Sequence, residues 1–251
     1  MLTGAASDDD DDLPAVSAER LTGAGDWVVI CDHASNRIPA RYAGLGLSEE
    51  ARASHAAWDP GAAEVTRRLS ATIDAPCVLS NVSRLVVDCN RAPDAPDIMR
   101  GQSEIYDIPA NRTLDQAGRD ERMRTAYDPF HTRLSEVIAA RPRTPSLIAI
   151  HSFTPVYNGI TRPWEIGVLF DADRRLADHM LTRLRARGDL NVGENEPYAP
   201  SDGVYWTLDR HGTRSGLPTV MIEIRNDLIS TEADCTRWAR ILMEAIEGWT
   251  P

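Results

Sequence analysis

The chain has 251 residues, 42% of them hydrophobic and 26% charged, so it is long enough to bury a sizeable core. Its 38 acidic and 27 basic residues leave a net charge of −11, which excludes nonspecific binding to nucleic acid or an anionic membrane, since both need a basic surface. Every basic residue is Arg; with no Lys in the chain, Schiff-base chemistry and a P-loop lysine are excluded as well.

Residues 1–24 carry the run Asp8 to Asp12 and read as a disordered acidic tail, because like charges repel and nothing there asks to be buried. The start lacks the basic residues and apolar core of a signal peptide, and no apolar run approaches the roughly 20 residues of a membrane span. Cys31, Cys77, Cys89 and Cys235 are scattered without zinc-finger spacing, so a cytoplasmic compartment is expected, with the thiols as small core residues. The remainder, 25–251, shows no linker-like shift and reads as one domain.

From Trp27 onward strands alternate with helices. WVVICDH (27–33) is a short, continuous apolar run, as in a strand buried on both faces. Ala62, Val65, Leu69 and Ile73 recur at helical spacing after Pro60. PCVLS (76–80) and SRLVVDCN (83–90) read as strands, followed by a loop rich in Pro, Asp and Asn from Arg91 to Thr113. Met123, Tyr127, Phe130, Leu134 and Val137 mark a helix that Pro129 should kink or break near Tyr127. SLIAIHS (146–152) and EIGVLFD (165–171) are strands around a Pro/Gly-containing loop, and Leu176, Met180 and Leu184 continue as a helix that Gly188 can stop. PTVMIEIRND (218–227) is another buried strand, and Cys235, Trp238, Ala239, Leu242, Ile246 and Trp249 share one face of a last helix. The pattern predicts an α/β fold, three layers with a mixed, largely parallel sheet.

In open α/β sheets, sites form beyond the carboxyl ends of the strands, and four predicted strands end there in polar clusters. These are Asp32-His33-Ala34-Ser35-Asn36-Arg37, Asp88-Cys89-Asn90-Arg91, His151-Ser152 and Glu223-Ile224-Arg225-Asn226-Asp227. His33 and His151 follow two apolar strands directly, either as hydrogen-bonded sheet-edge histidines or as a pair of metal ligands. For a third ligand Asp59 is preferred over Asn36, because an amide oxygen brings no charge; Asp59 could equally cap the helix it precedes. Glu223 lies between Ile222 and Ile224, where a carboxylate is costly unless paired. It reads as a general base or as the partner of Arg84, Arg91 or Arg225. Arg84, Asn90 and Arg91 can grip a carboxylate and polarise a carbonyl, or can neutralise Asp88 and Asp94.

The stretches DHASNRIP (32–39), WDPGAAEV (58–65), SRLVVDCNR (83–91), YDPFH (127–131), AIHSF (149–153) and IEIRND (222–227) together resemble the N-formylglutamate amidohydrolase family, from Trp27 to Trp249. That family is similar to zinc carboxypeptidases and aspartoacylase-type deacylases. The resemblance implies their α/β/α fold and a divalent metal, with Zn2+ the expected ion. Carried over by motif, His33 and His151 would bind the metal, Glu223 would be the general base, and Arg84 would polarise the scissile carbonyl. Asn90 and Arg91 would hold the substrate carboxylate, with Arg225 and His211 as further substrate-side candidates and His131 a lesser one. One departure is plain. Carboxypeptidase-like sites read His-x-x-Glu, whereas this chain reads His33-Ala34-Ser35-Asn36, which is why Asp59 enters the ligand set. The expected activity is hydrolysis of a small N-acylated amino acid, most simply N-formyl-L-glutamate. The alternatives are a different acylated amine, a short peptide, or a metal-free carboxylate-binding protein on the same fold.

Overall fold

The computed structural model describes residues 13–251. Its centre is a seven-stranded sheet: β1 (Val16–Glu19), β2 (Trp27–Cys31), β3 (Cys77–Ser80), β4 (Ser146–Phe153), β5 (Ile166–Leu169), β6 (Val192–Glu194) and β7 (Thr219–Arg225). The spatial order is β1-β3-β2-β4-β7-β5-β6. Only the β1–β3 and β7–β5 pairs are antiparallel; the other four neighbouring pairs are parallel. This is the mixed, mostly parallel α/β architecture that the alternating pattern predicts.

The central strands are buried on both faces, which explains why their sequences are continuously apolar rather than alternating. Val29, Ile148 and Ile222 point to one side, where α1 (Ala62–Thr72), α3 (Arg175–Ala186) and α5 (Glu232–Ile246) pack around the fully buried Trp238. Val28, Ile30, Ala149 and Met221 point to the other, against α2 (Asp128–Ala139), α4 (Trp206–His211) and the irregular segment 82–114. A π-helical turn over Met123–Tyr127 precedes α2, so the distortion expected from Pro129 falls where the sequence puts it. All four cysteines are free and buried. No helix among the described residues is long and apolar enough to cross a membrane.

Two expectations need correction. The tail was expected to run to residue 24. The acidic run itself lies outside the described residues, but Val16–Glu19 form β1 along the open edge of β3, in register from Val16↔Ser80 to Glu19↔Cys77. An exposed strand edge offers unpaired backbone groups, and this short segment satisfies them. The second concerns 83–90, which is no strand. It is a chain of turns, with Leu85, Val86, Val87 and Cys89 all buried. Its carbonyls are met by side chains instead of a neighbouring strand: Asn111 donates to Leu85 O, Arg122 to Val86 O, and His131 to Cys89 O. Buried backbone must be paired, and here polar side chains do it.

Candidate active site

β2, β4 and β7 are adjacent and parallel, so their carboxyl ends open at the same edge in the middle of the sheet. β2 hands over Asp32 and His33 as it leaves the sheet. The Asp59 amide donates to His33 O at 3.0 Å, which folds the turn before α1 over that strand end. Gly61 is required there: its φ is +82°, and a Cβ would lie 2.4 Å from Ile229 O. In β4 and β7, His151 and Glu223 are register partners. Asp32, His33, Asp59, His151 and Glu223 are all at least 96% buried.

Each histidine commits one ring nitrogen to a carboxylate. His33 Nε2 donates to Asp88 Oδ1 at 2.7 Å, and His151 Nδ1 donates to Asp59 Oδ2 at 2.9 Å. The rings meet edge to face with centroids 5.0 Å apart. This leaves His33 Nδ1 and His151 Nε2 facing the interior of the cluster. His151 Nε2 lies 3.0 Å from Asp32 Oδ1, yet neither atom has a hydrogen-bond partner. The other Asp32 oxygen accepts from the Thr207 hydroxyl at 2.6 Å. One donor atom from each of Asp32, His33 and His151 lies within 4.8 Å of the others.

These residues fit a divalent cation. Two imidazoles and a carboxylate are a common donor set for such an ion, and metal-binding histidines characteristically give their second nitrogen to a carboxylate, as both do here. The electrostatics agree. Asp32, Asp59, Asp88 and Glu223 crowd one buried site, where, among the described residues, the only permanent cation in direct contact is Arg84, 3.2 Å from Asp59 Oδ1. So much buried negative charge asks for more compensation than one guanidinium gives. The Arg84 contact at 3.2 Å on His33 Nδ1 is the one an ion would replace. Arg84 would keep its bonds to Ala56 O and His55 O.

Burial disfavours charge on every group here, and the neighbours decide the outcome. Against that penalty, His151 holds the Asp32 carboxyl below its usual value. For His55, burial and then Arg84 push the imidazole down to about 3, so it is neutral. Glu223 goes the other way. Burial pushes it up to about 7, Asp59 adds to the rise, and His151 opposes it. Its Oε2 has no hydrogen-bond partner. The expected alternative, an ion pair with Arg84, Arg91 or Arg225, is not formed.

Glu223, Arg84, Asn90, Arg91, His33, Asp59 and His151 line one cavity of about 200 Å3. A larger groove of about 400 Å3, by Leu184 and Ile241 between α3 and α5, holds none of them. Asn90 is tied at both ends of its amide, donating to Val204 O and accepting from Thr207 N. Arg91 commits Nε to Asp97 and Nη1 to Asn90 O and Gly203 O.

Other expected residues are elsewhere. Arg225 pairs with Asp227 at 2.8 Å, outside the cavity lining: alternation keeps it on Glu223's face, but it lies two residues further along β7, at the strand's last position. His211 lies behind the Asp88–Arg91 segment, donating from Nε2 to His131 Nδ1 at 2.8 Å in a buried stacked pair. Asn36 turns its amide to Arg52 O and does not compete for the ligand position. The Asp59 side chain does not cap α1, whose first residue follows Gly61 with no side-chain cap.

Sequence reasoning gave no role to Asp32, Asp88, His55, Tyr157, Tyr198 or Arg162. For Asp32 the signal was present, as an acid at the end of a buried strand. For Tyr157 and Arg162 it was Asn158-Gly159, the dipeptide of a tight hairpin. The two residues have φ of +49° and +77° and join Val156–Tyr157 to Ile160–Thr161.

Such groups at this edge of such a sheet are those of a hydrolytic enzyme with a mixed, mostly parallel α/β fold. The chain matches the N-formylglutamate amidohydrolase family over residues 25–230 and belongs to that family, which makes it a hydrolase acting on amide bonds. Among solved structures it is similar to gene product Atu2144 from Agrobacterium tumefaciens, with 49% identity, 93% of each chain covered and a TM-score of 0.90. It shares its fold with N-formylglutamate amidohydrolase from Ralstonia eutropha JMP134, at 16% identity and a TM-score of 0.64, over 94% of this chain and 100% of that one. A comparison with curated proteins gives no match.

Proposed function

We propose that the protein is a metal-dependent deacylase of small N-acylated amino acids, most simply converting N-formyl-L-glutamate and water to formate and glutamate. The observation that carries this reading is the buried Asp32–His33–His151 group beside an unpaired Glu223 in one cavity. Asp32, His33 and His151 would hold the ion, with Asp88 and Asp59 orienting the two imidazoles, so Asp59 moves from the expected ligand set to a supporting place. A bound divalent ion would lower the pKa of water toward about 7 and polarise the acyl oxygen.

The chain's own groups account for the rest. Glu223 accepts a proton from the attacking water and delivers it to the nitrogen as the C–N bond breaks, so the amine leaves neutral. Arg84, held rigidly by two backbone carbonyls, carries a guanidinium that favours the developing negative charge on the acyl oxygen. Arg91 Nη2, with Asn90 beside it, meets a substrate carboxylate. Four free thiols suit a reducing, cytoplasmic compartment.

The test is formate release from N-formyl-L-glutamate by metal-loaded protein, beside N-acetyl and N-succinyl amino acids. Turnover that stops on exhaustive chelation and returns with Zn2+ supports the reading. Undiminished turnover after chelation overturns the metal dependence, and formyl compounds proving the poorest substrates overturns the named activity.

A further inference from the structure

Arg84, Arg91 and Arg100 each have an aspartate partner, Asp59 for the first and Asp97 for the other two. Arg162 does not. It closes the 156–161 hairpin, its amide donating to Pro155 O at 2.8 Å, and its side chain is buried, with 7% exposure. Nη1 has no hydrogen-bond partner, and no carboxylate among the described residues forms an ion pair with it. The guanidinium carbon instead lies 4.5 Å from the Tyr157 ring centroid, 4.7 Å from that of Tyr198 and 5.8 Å from that of Phe153.

Burying a guanidinium without an anion carries a large desolvation penalty, and cation–π contacts offset only part of it. A three-ring box therefore leaves the charge undercompensated. Its field reaches the cavity. Tyr157 and Tyr198 line it, and Arg162 acts on both Tyr198 and His55, two lining residues that also feel Arg84. An unsatisfied buried donor beside a polar cavity calls for an explanation, and a ligand oxygen supplies one.

We infer that Arg162, framed by Phe153, Tyr157 and Tyr198, anchors a carboxylate of the substrate, separately from the Arg91–Asn90 segment. It thereby selects N-acyl amino acids with an acidic side chain over their amide counterparts. A planar fork between aromatic faces suits a carboxylate and disfavours a neutral amide, which would leave the buried charge unanswered. The inference rests on the proposed deacylase reading for the identity of the substrate, but the anchor itself is a statement about carboxylate binding.

The experiment has two arms. Calorimetry measures binding of glutarate and of butyrate to the intact wild-type protein and to Arg162→Met and Arg162→Lys. Kinetics compares N-formyl-L-glutamate with N-formyl-L-glutamine. Wild type is expected to bind glutarate more tightly than butyrate. Arg162→Met is expected to lose about 10- to 100-fold in glutarate affinity and to raise KM for the glutamate substrate by a similar factor, the range of a charged hydrogen bond. KM for the glutamine substrate should stay within about threefold, and Arg162→Lys should fall between wild type and Met. Equal losses on both substrates, or none, overturn the anchor. Should Arg162→Met not fold, the lysine variant and the wild-type dicarboxylate preference still decide. A wild type that binds glutarate through Arg162 but hydrolyses nothing sinks the deacylase reading and leaves the anchor standing. Turnover of N-formyl-L-glutamate with selectivity unmoved in Arg162→Met does the reverse.

Discussion

Asp88→Asn tests the ligand arrangement at its least obvious point. Asp88 is not itself a proposed ligand, but its Oδ1 accepts from Nε2 of the proposed ligand His33 at 2.7 Å and from the Asn90 amide at 2.9 Å. Asparagine keeps an oxygen in that place, so the ring orientation and the Asn90 turn survive and only the negative charge is lost. A charge-assisted bond is roughly twice as strong as a neutral one, and the lost charge makes His33 Nδ1 a poorer donor. Supporting carboxylates of this kind are worth about 10- to 100-fold in metal affinity, or about 1.4–2.7 kcal/mol. The assay is Zn2+ titration against a competing chelator, with circular dichroism to establish that the variant is folded. Asp32→Asn, which replaces a proposed ligand, should lose more than Asp88→Asn does. Wild-type affinity in Asp88→Asn would refute the use of His33 Nδ1, and a larger loss in Asp88→Asn than in Asp32→Asn would make Asp88 the ligand.

Glu223→Gln should lower kcat by about 10^2- to 10^4-fold with metal content unchanged, as read from steady-state kinetics and elemental analysis. The His131–His211 pair is buried and neutral. Burial, and then His211, push His131 down to about 3, and burial and Arg210 push His211 to about 4, against 6.5 in an unfolded chain. Below pH 6.5 the unfolded state binds the extra protons, so stability falls as pH drops toward 4, by about 2 kcal/mol for each histidine at pH 5. Urea unfolding across pH 7 to 4.5 should show this slope, shallower in His211→Gln; equal slopes would count against it. Trp238→Ala should cost about 3–5 kcal/mol by the same urea assay, since the fully buried indole joins α5 to the sheet.

The parts of the molecule that the sequence made legible are those built by regular periodicity. Continuous apolar runs marked β2, β4 and β7 because both faces of those strands are covered, and the polar residues that end the runs had to lie at the sheet's edge. That logic brought His33, His151 and Glu223 together across 190 residues. It failed for 83–90, where Leu85, Val86 and Val87 are as buried as any strand, but by turns whose carbonyls are met by side chains of Asn111, Arg122 and His131. Burial and extended pairing leave the same hydrophobic signature, and only the distant partners distinguish them. The same limit governed the arginines. Arg84, Arg91, Arg162 and Arg225 look alike in sequence. What separates them is which aspartate stands within 4 Å, and that is a property of the assembled fold.

This division has a consequence for how the site can vary. His151 and Glu223 ride on neighbouring strands whose ladder fixes their spacing, Asp32 and His33 directly follow the end of β2, and the two imidazoles are further held by Asp59 and Asp88. Shifting any of these by a fraction of an ångström disturbs the sheet itself. The remaining walls come from connections: the turn bearing His55, the 83–91 segment, the hairpin with Tyr157, and the stretch from Tyr198 to Val204. These can exchange side chains without moving a strand. The reacting groups and the specificity groups therefore answer to different constraints. Substitutions at Tyr157, Arg162 or Tyr198 should redirect substrate preference while metal binding and overall stability hold, whereas substitutions at Asp32, His33 or His151 should lose metal binding and turnover together.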